Sequence, residues 1–140
     1  MLTGVGLDAM PETPLVRIEV PRWGVVKPRA DGSVDFLSPL PCPYNYGCIP
    51  GIASADGDPV DAVVLGPRLP RGREVRVRAR AVMGFVDAGH DDPKVICSAA
   101  PLTALDRRGL EVFFAVYALA KRALNRLRGR GGPTCCTGWS

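Results

Sequence analysis

At 140 residues the chain has the size of one domain, and roughly two thirds of its unfolded surface can be buried without disulfide or metal staples. With 46% hydrophobic and 23% charged residues, 16 Gly and 14 Pro, the composition excludes an intrinsically disordered segment and a long helical rod, and no apolar run approaches the ~20 residues of a membrane-spanning helix. The net charge of +4 comes from an arginine-rich set of 18 basic residues that holds only three lysines, Lys27, Lys94 and Lys121, while the acids gather in two short windows, Asp56/Asp58/Asp61 and Asp87/Asp91/Asp92.

The first ten residues lack the basic and long apolar regions of a signal peptide. The five cysteines (Cys42, Cys48, Cys97, Cys135 and Cys136), with one histidine, match no zinc spacing. Reduced thiols in a cytoplasmic protein are the expectation. In chain order, Leu15–Val20 alternates apolar and charged residues and predicts a strand closed by Pro21. Val25–Lys27 and Val34–Leu37 flank Asp31-Gly32 and predict a tight hairpin. Leu37–Gly51, with prolines at 39, 41, 43 and 50 around Tyr44-Asn45-Tyr46, reads as an ordered loop. Val60–Leu65 predicts a strand buried on both faces, Glu74–Phe85 one long alternating strand, and Lys94–Ser98 a short one. Leu110, Phe113, Phe114, Tyr117, Ala120, Leu124 and Leu127 recur at steps of three and four, predicting a helix over Asp106–Arg128 that ends at Gly129. Short strands followed by one helix argue for a single α+β domain over 1–140, or a small β-barrel, rather than a parallel βαβ sheet.

The chemistry concentrates in the acidic windows. In Asp56-Gly57-Asp58-Pro59-Val60-Asp61 three carboxylates repel one another unless cations offset them. The run begins like a calcium loop but has Asp61 and Pro67 where that loop needs Gly and Glu. Oxygen donors without His or Cys suit Mg2+ or Mn2+. The second window, Asp87 to Lys94, also joins two predicted strands. Two carboxylate loops at strand ends can converge on shared divalent ions, an arrangement suited to phosphoryl chemistry.

These residues carry a resemblance. Pro43-Tyr44-Asn45-Tyr46-Gly47-x-Ile49-Pro50, followed by Asp-Gly-Asp-Pro-Val-Asp ten residues after Tyr46, resembles the soluble inorganic pyrophosphatases of the Mg2+-dependent β-barrel type. Ile18-Glu19-Val20-Pro21, Lys27, the spaced Asp87, Asp92 and Lys94, Val112-Phe113-Phe114 with Tyr117, and Gly138-Trp139 extend the likeness from about residue 13 to 139. The resemblance implies a small, twisted, five-stranded antiparallel β-barrel of OB-like form with a flanking C-terminal α-helix. It implies hydrolysis of pyrophosphate to two phosphates, a Mg2+ or Mn2+ cofactor and a homo-oligomer. Asp56, Asp61, Asp87 and Asp92 would hold metal and Asp58 would act as general base. Lys27, Tyr46, Lys94 and Tyr117 would bind phosphate oxygens, and Glu19 would make an indirect metal contact.

The chain departs from that family's pattern at several points. Arg29 stands where a metal-associated glutamate is expected, Cys42 replaces a tyrosine, Ala118 replaces the lysine after the helix tyrosine, and no arginine occupies Val34–Leu37. Arg29, on the same strand face as Lys27, is expected to replace the missing arginine. Lys121, one helical turn from Tyr117, is expected to replace the missing lysine. Two alternatives remain in view: a hydrolase of longer polyphosphates, and a catalytically weakened phosphate- or nucleic-acid-binding barrel using the arginines of 73–80. The absence of aromatics within that basic strand argues against nucleic acid.

Overall fold

The computed structural model describes residues 6–24, 26–28, 34–37, 41–55 and 57–140, with the backbone alone for 26–28 and 34–37. The strands are β1 (Leu15–Val20), β2 (Val26–Pro28), β3 (Val34–Leu37), β4 (Asn45–Ala53), β5 (Pro59–Val64), β6 (Glu74–Arg76), β7 (Ala79–Asp87), β8 (His90–Asp91), β9 (Lys94–Cys97) and β10 (Cys135–Trp139), with one long helix, α1 (Ala104–Leu127), before the last. The main sheet runs β10-β7-β9-β5-β4-β1-β6, with β8 paired to β7 as its eighth strand. The predicted hairpin forms as a separate β2-β3 pair.

Three expectations are corrected. First, the proline-rich loop is a strand from Asn45 onward, because Asn45, Gly47, Cys48 and Ile49 are buried between β1 and β5. Its prolines do not prevent this. Pro41 and Pro43 lie ahead of the strand, and Pro50 falls where the β4–β5 register shifts between Ile49 and Ala53, as prolines in sheets do. A side chain on Gly47 would overlap the backbone of Arg17, so only glycine permits β1 and β4 to approach this closely. Second, the long strand over Glu74–Phe85 divides into β6, which pairs with β1, and β7, which pairs with β9 and β10. Third, the sheet is not five antiparallel strands: β5 and β9 run parallel, Asp61 opposite Lys94 and Val64 opposite Cys97. The long connection through β6 to β8 makes a parallel return possible. Among the described residues the sheet is an open path ending in β10 and β6.

Alternation along β5 and β9 divides the core. Val60, Ala62, Val64, Val95 and Cys97 pack on one face with Val16, Ile18, Ile49 and Val82. Val63, Ile96, Met83 and Phe85 pack on the other against Leu110, Phe114 and Ala118 of α1. Both central strands are thus buried on two sides, which is why Val60–Leu65 reads as almost purely apolar. The helix begins two residues earlier than its periodicity predicts because Thr103 caps it. Asp106 N donates to Thr103 Oγ1 at 3.0 Å, and Thr103 N donates to Asp106 Oδ2 at 2.9 Å. No helix among the described residues is long and apolar enough to cross a membrane.

Candidate active site

Where β4, β5 and β9 lie side by side, the pleat puts polar residues on the face that α1 covers. Asp61 and Lys94 are direct partners in the parallel pair, and Tyr46 pairs with Val63, two residues along from Asp61. Lys94 is 1% exposed, and its ammonium stands 2.8 Å from Asp61 Oδ2 and 2.8 Å from Asp92 Oδ2. The Tyr46 hydroxyl donates to the same Asp61 oxygen at 2.8 Å. Aromatic faces flank the cation, with the Phe85 and Tyr46 ring centroids at 5.3 and 5.5 Å. Tyr117 packs against Phe85 at 5.9 Å between ring centroids.

Each charge takes its protonation state from these neighbours. Burial opposes ionisation of Asp61, but the charge and hydrogen bond of Lys94 outweigh it and hold the carboxyl below its ordinary range. Asp92 is pushed up to about 6 by burial and by the Asp61 charge, against the pull of Lys94. Burial disfavours the Lys94 cation, yet Asp61, Tyr46 and Asp92 raise it well above an ordinary lysine, so it stays charged. Tyr117 is pushed up to about 12, mainly by burial, and remains a hydroxyl donor. Two carboxylates around one lysine leave an excess negative charge.

Asp87, at the end of β7, sits against α1 instead. Asn125 Nδ2 donates to Asp87 Oδ1 at 2.8 Å, and Lys121 Nζ is 3.3 Å from Asp87 Oδ2. Burial would raise this carboxyl, but the Asn125 bond, the Lys121 charge and bond, and the field of Arg130 lower it. Lys121 therefore pairs with an acid rather than standing beside Tyr117 alone. Asp58 is exposed in the turn before β5, where its carbonyl accepts from Ser54 N at 2.8 Å. Gly57 in that turn has φ +88, which favours glycine. Glu19 is half-buried on β1, with its carbonyl accepting from Arg71 Nε at 3.1 Å. Lys27 lies in β2 opposite Phe36, placed by backbone only; Asp56 and Arg29 lie outside the described residues.

Sequence reasoning missed two residues. Asn125 is four residues beyond Lys121, so helical spacing put it within reach of the same acid. Asn45 sat inside the recognised motif, but its role needed the fold. It is fully buried, its Oδ1 accepting from Arg22 N (3.0 Å) and Leu69 N (2.8 Å) and its Nδ2 donating to Pro67 O (2.9 Å) and Val64 O (3.3 Å).

Residues 16–108 match the family model described as inorganic pyrophosphatase. The chain belongs to the inorganic pyrophosphatase family. Among curated relatives, an inorganic pyrophosphatase of Gluconobacter oxydans is 37% identical over 90 residues, covering 59% of this chain and 52% of the relative. Soluble inorganic pyrophosphatase 3 of Arabidopsis thaliana is 35% identical over 134 residues, covering 87% of this chain and 59% of the relative. The chain thus spans about half the length of the curated relatives it matches. Among solved structures, the inorganic pyrophosphatase from Thermus thermophilus superposes with a TM-score of 0.71 at 31% identity, covering 92% of this chain and 82% of that one. The inorganic pyrophosphatase from Neisseria gonorrhoeae gives 0.72 at 25% identity, with coverage of 92% and 82%. The cluster of Asp61, Asp92, Lys94 and Tyr46 falls inside the matched segment, whereas Tyr117, Lys121 and Asn125 lie beyond it.

Proposed function

We propose that this chain hydrolyses inorganic pyrophosphate to two phosphates with Mg2+ or Mn2+ as cofactor. The observation that carries this reading is the buried Lys94 held between Asp61 and Asp92. Two carboxylates that share one buried lysine offer oxygen donors of the kind a hard divalent ion takes. The donor chemistry fits a hard divalent ion and the excess negative charge calls for one. No trio of His, Cys, Asp or Glu among the described residues is close enough to complete a ligand set, and Asp56 is carried as a further ligand by resemblance. Asp56, Asp61, Asp87 and Asp92 would hold the metal. When bound, the ions would offset phosphate charge and lower the pKa of the attacking water.

The chain's own residues supply the remaining chemistry. Lys94, already charged and desolvated, binds a phosphate oxygen as it exchanges from its carboxylates. Lys27 adds a second cation, while Tyr46 and Tyr117, both kept protonated, donate hydroxyl bonds. Asp58, exposed in the turn before β5, accepts the proton of the water whose oxygen bonds to phosphorus while the bridging P–O bond breaks. Glu19 steadies the metal side indirectly, and Arg29 and Lys121 are accessory cations. The frame is read as the family's small twisted barrel with α1 alongside, one domain over 1–140, homo-oligomeric and cytoplasmic.

The binding-module alternative finds little support in the basic strand. Arg78 pairs with Glu12 at 3.0 Å, and Arg80 donates to the carbonyls of Ser98 (3.0 Å) and Ala99 (2.8 Å). Phosphate release from pyrophosphate and from tripolyphosphate, with Mg2+ or with chelator, tests the assignment. Mg2+-dependent release from pyrophosphate is expected to exceed that from tripolyphosphate. A preference for tripolyphosphate would favour the polyphosphate reading, and no release from either would reject hydrolysis.

A further inference from the structure

Both oxygens of Asp87 are taken by α1, Oδ1 by Asn125 and Oδ2 by Lys121. Lys121 and Asn125 are four residues apart and share one helix face. Asn125 is 4% exposed. Its Nδ2 also donates to Thr134 Oγ1 at 3.1 Å, and that hydroxyl accepts from Ala88 N at 2.9 Å, one residue beyond Asp87. Asn125 is therefore a positioning residue that fixes Oδ1 and leaves Oδ2 facing the lysine. The Lys121 and Asp87 side chains are only 11% and 13% exposed, so little water replaces or screens their contact. The tethered ammonium, 3.3 Å from Asp87 Oδ2, offsets the charge of that carboxylate.

We propose that Lys121 is a built-in counter-cation for Asp87, competing with divalent metal for that carboxylate and setting how tightly this arm of the site loads. The inference rests on reading Asp87 as a metal-holding residue. Ion entry at Asp87 then requires the lysine to leave, and the displaced ammonium, one turn from Tyr117, is available to the anionic substrate.

Calorimetric titration of Mg2+ and Mn2+ into the wild type, Lys121→Met, Lys121→Arg, Asp87→Asn and the Lys121→Met/Asp87→Asn double variant tests this. Lys121→Met is expected to tighten one class of binding by about ten-fold, the order left when a contact charge is removed and desolvation offsets most of its Coulomb energy. Lys121→Arg should match the wild type, and the double variant should match Asp87→Asn. Unchanged or weaker binding by folded Lys121→Met would overturn the proposal. Should that variant not fold, Lys121→Gln is judged by the same criterion. Tighter binding by Lys121→Met in a protein that releases no phosphate from pyrophosphate would support the counter-cation role and reject the hydrolase reading. Active wild type with no Lys121 effect would do the reverse.

Discussion

Asn45→Ala removes four hydrogen bonds from one fully buried amide. The side chain ties the start of β4 to the Arg22 turn after β1 and to the Pro67–Leu69 turn after β5. It therefore fixes the strand that presents Tyr46 to Asp61. Truncation leaves the N–H groups of Arg22 and Leu69 and the carbonyl of Pro67 without their partner, at about 1–3 kcal/mol each where water does not reach. These three groups are only partly buried, so water recovers some of the loss, and about 3–4 kcal/mol of destabilisation is expected. For a chain of this length that lowers Tm by roughly 10–15 °C. Urea and thermal unfolding followed by circular dichroism measure it, with Asn45→Gln as a control that retains the amide but displaces it by one methylene. A loss below about 1 kcal/mol for Asn45→Ala would show that the staple is dispensable and that strand pairing alone holds β4 in register.

Gly47→Ala should be nearly as damaging, because the new methyl overlaps the Arg17 backbone rather than a movable side chain; a melting temperature within a degree of wild type would contradict this close approach. Asp61→Ala leaves the buried Lys94 with one carboxylate, so stability should fall by about 3 kcal/mol in the absence of metal, and any Mg2+-induced rise in Tm should vanish. An undiminished rise at tens of millimolar Mg2+ would place the ion elsewhere. Thiol reactivity gives a pH test: burial pushes Cys42 up to about 11 and Cys97 up to about 12, so both stay protonated at pH 8 and become reactive only as pH approaches those values or the fold opens. Native protein should titrate at no more than two fast thiols, Cys135 and Cys136, which are half-buried, and at five when denatured. Rapid modification of Cys97 at pH 8 would refute its burial.

Alternation located β1, an almost unbroken apolar run located β5 and three-to-four spacing located α1, each to within a few residues, because each commits one or both faces to the core. Asp61, Asp92 and Lys94 were recognisable from their spacing and resemblance, and the structure joins them through one ammonium. The β4 strand was hidden by its prolines, since nothing local reveals that they sit ahead of the strand or at a register shift. The parallel β5–β9 pairing was equally hidden, because short strands separated by irregular connections look antiparallel until the long return is known. The Lys121–Asp87 contact was missed for a related reason: helical spacing shows which residues share a face, but not that the end of β7 lies against that face.

In the proposed hydrolysis of pyrophosphate, Asp58 takes the proton from the attacking water. Phosphate release by wild type and Asp58→Asn at saturating Mg2+, read beside each protein's Mg2+-induced rise in Tm, tests it most directly. Asp58 lies in an exposed turn where its carbonyl accepts from Ser54 N and Ser54 Oγ, bonds that Asp58→Asn leaves in place. Mg2+-dependent release by the wild type is expected, with a loss of about 10²–10⁴-fold in the variant and a Tm rise largely retained. A variant that keeps more than about half of the wild-type rate would show that Asp58 is not the base.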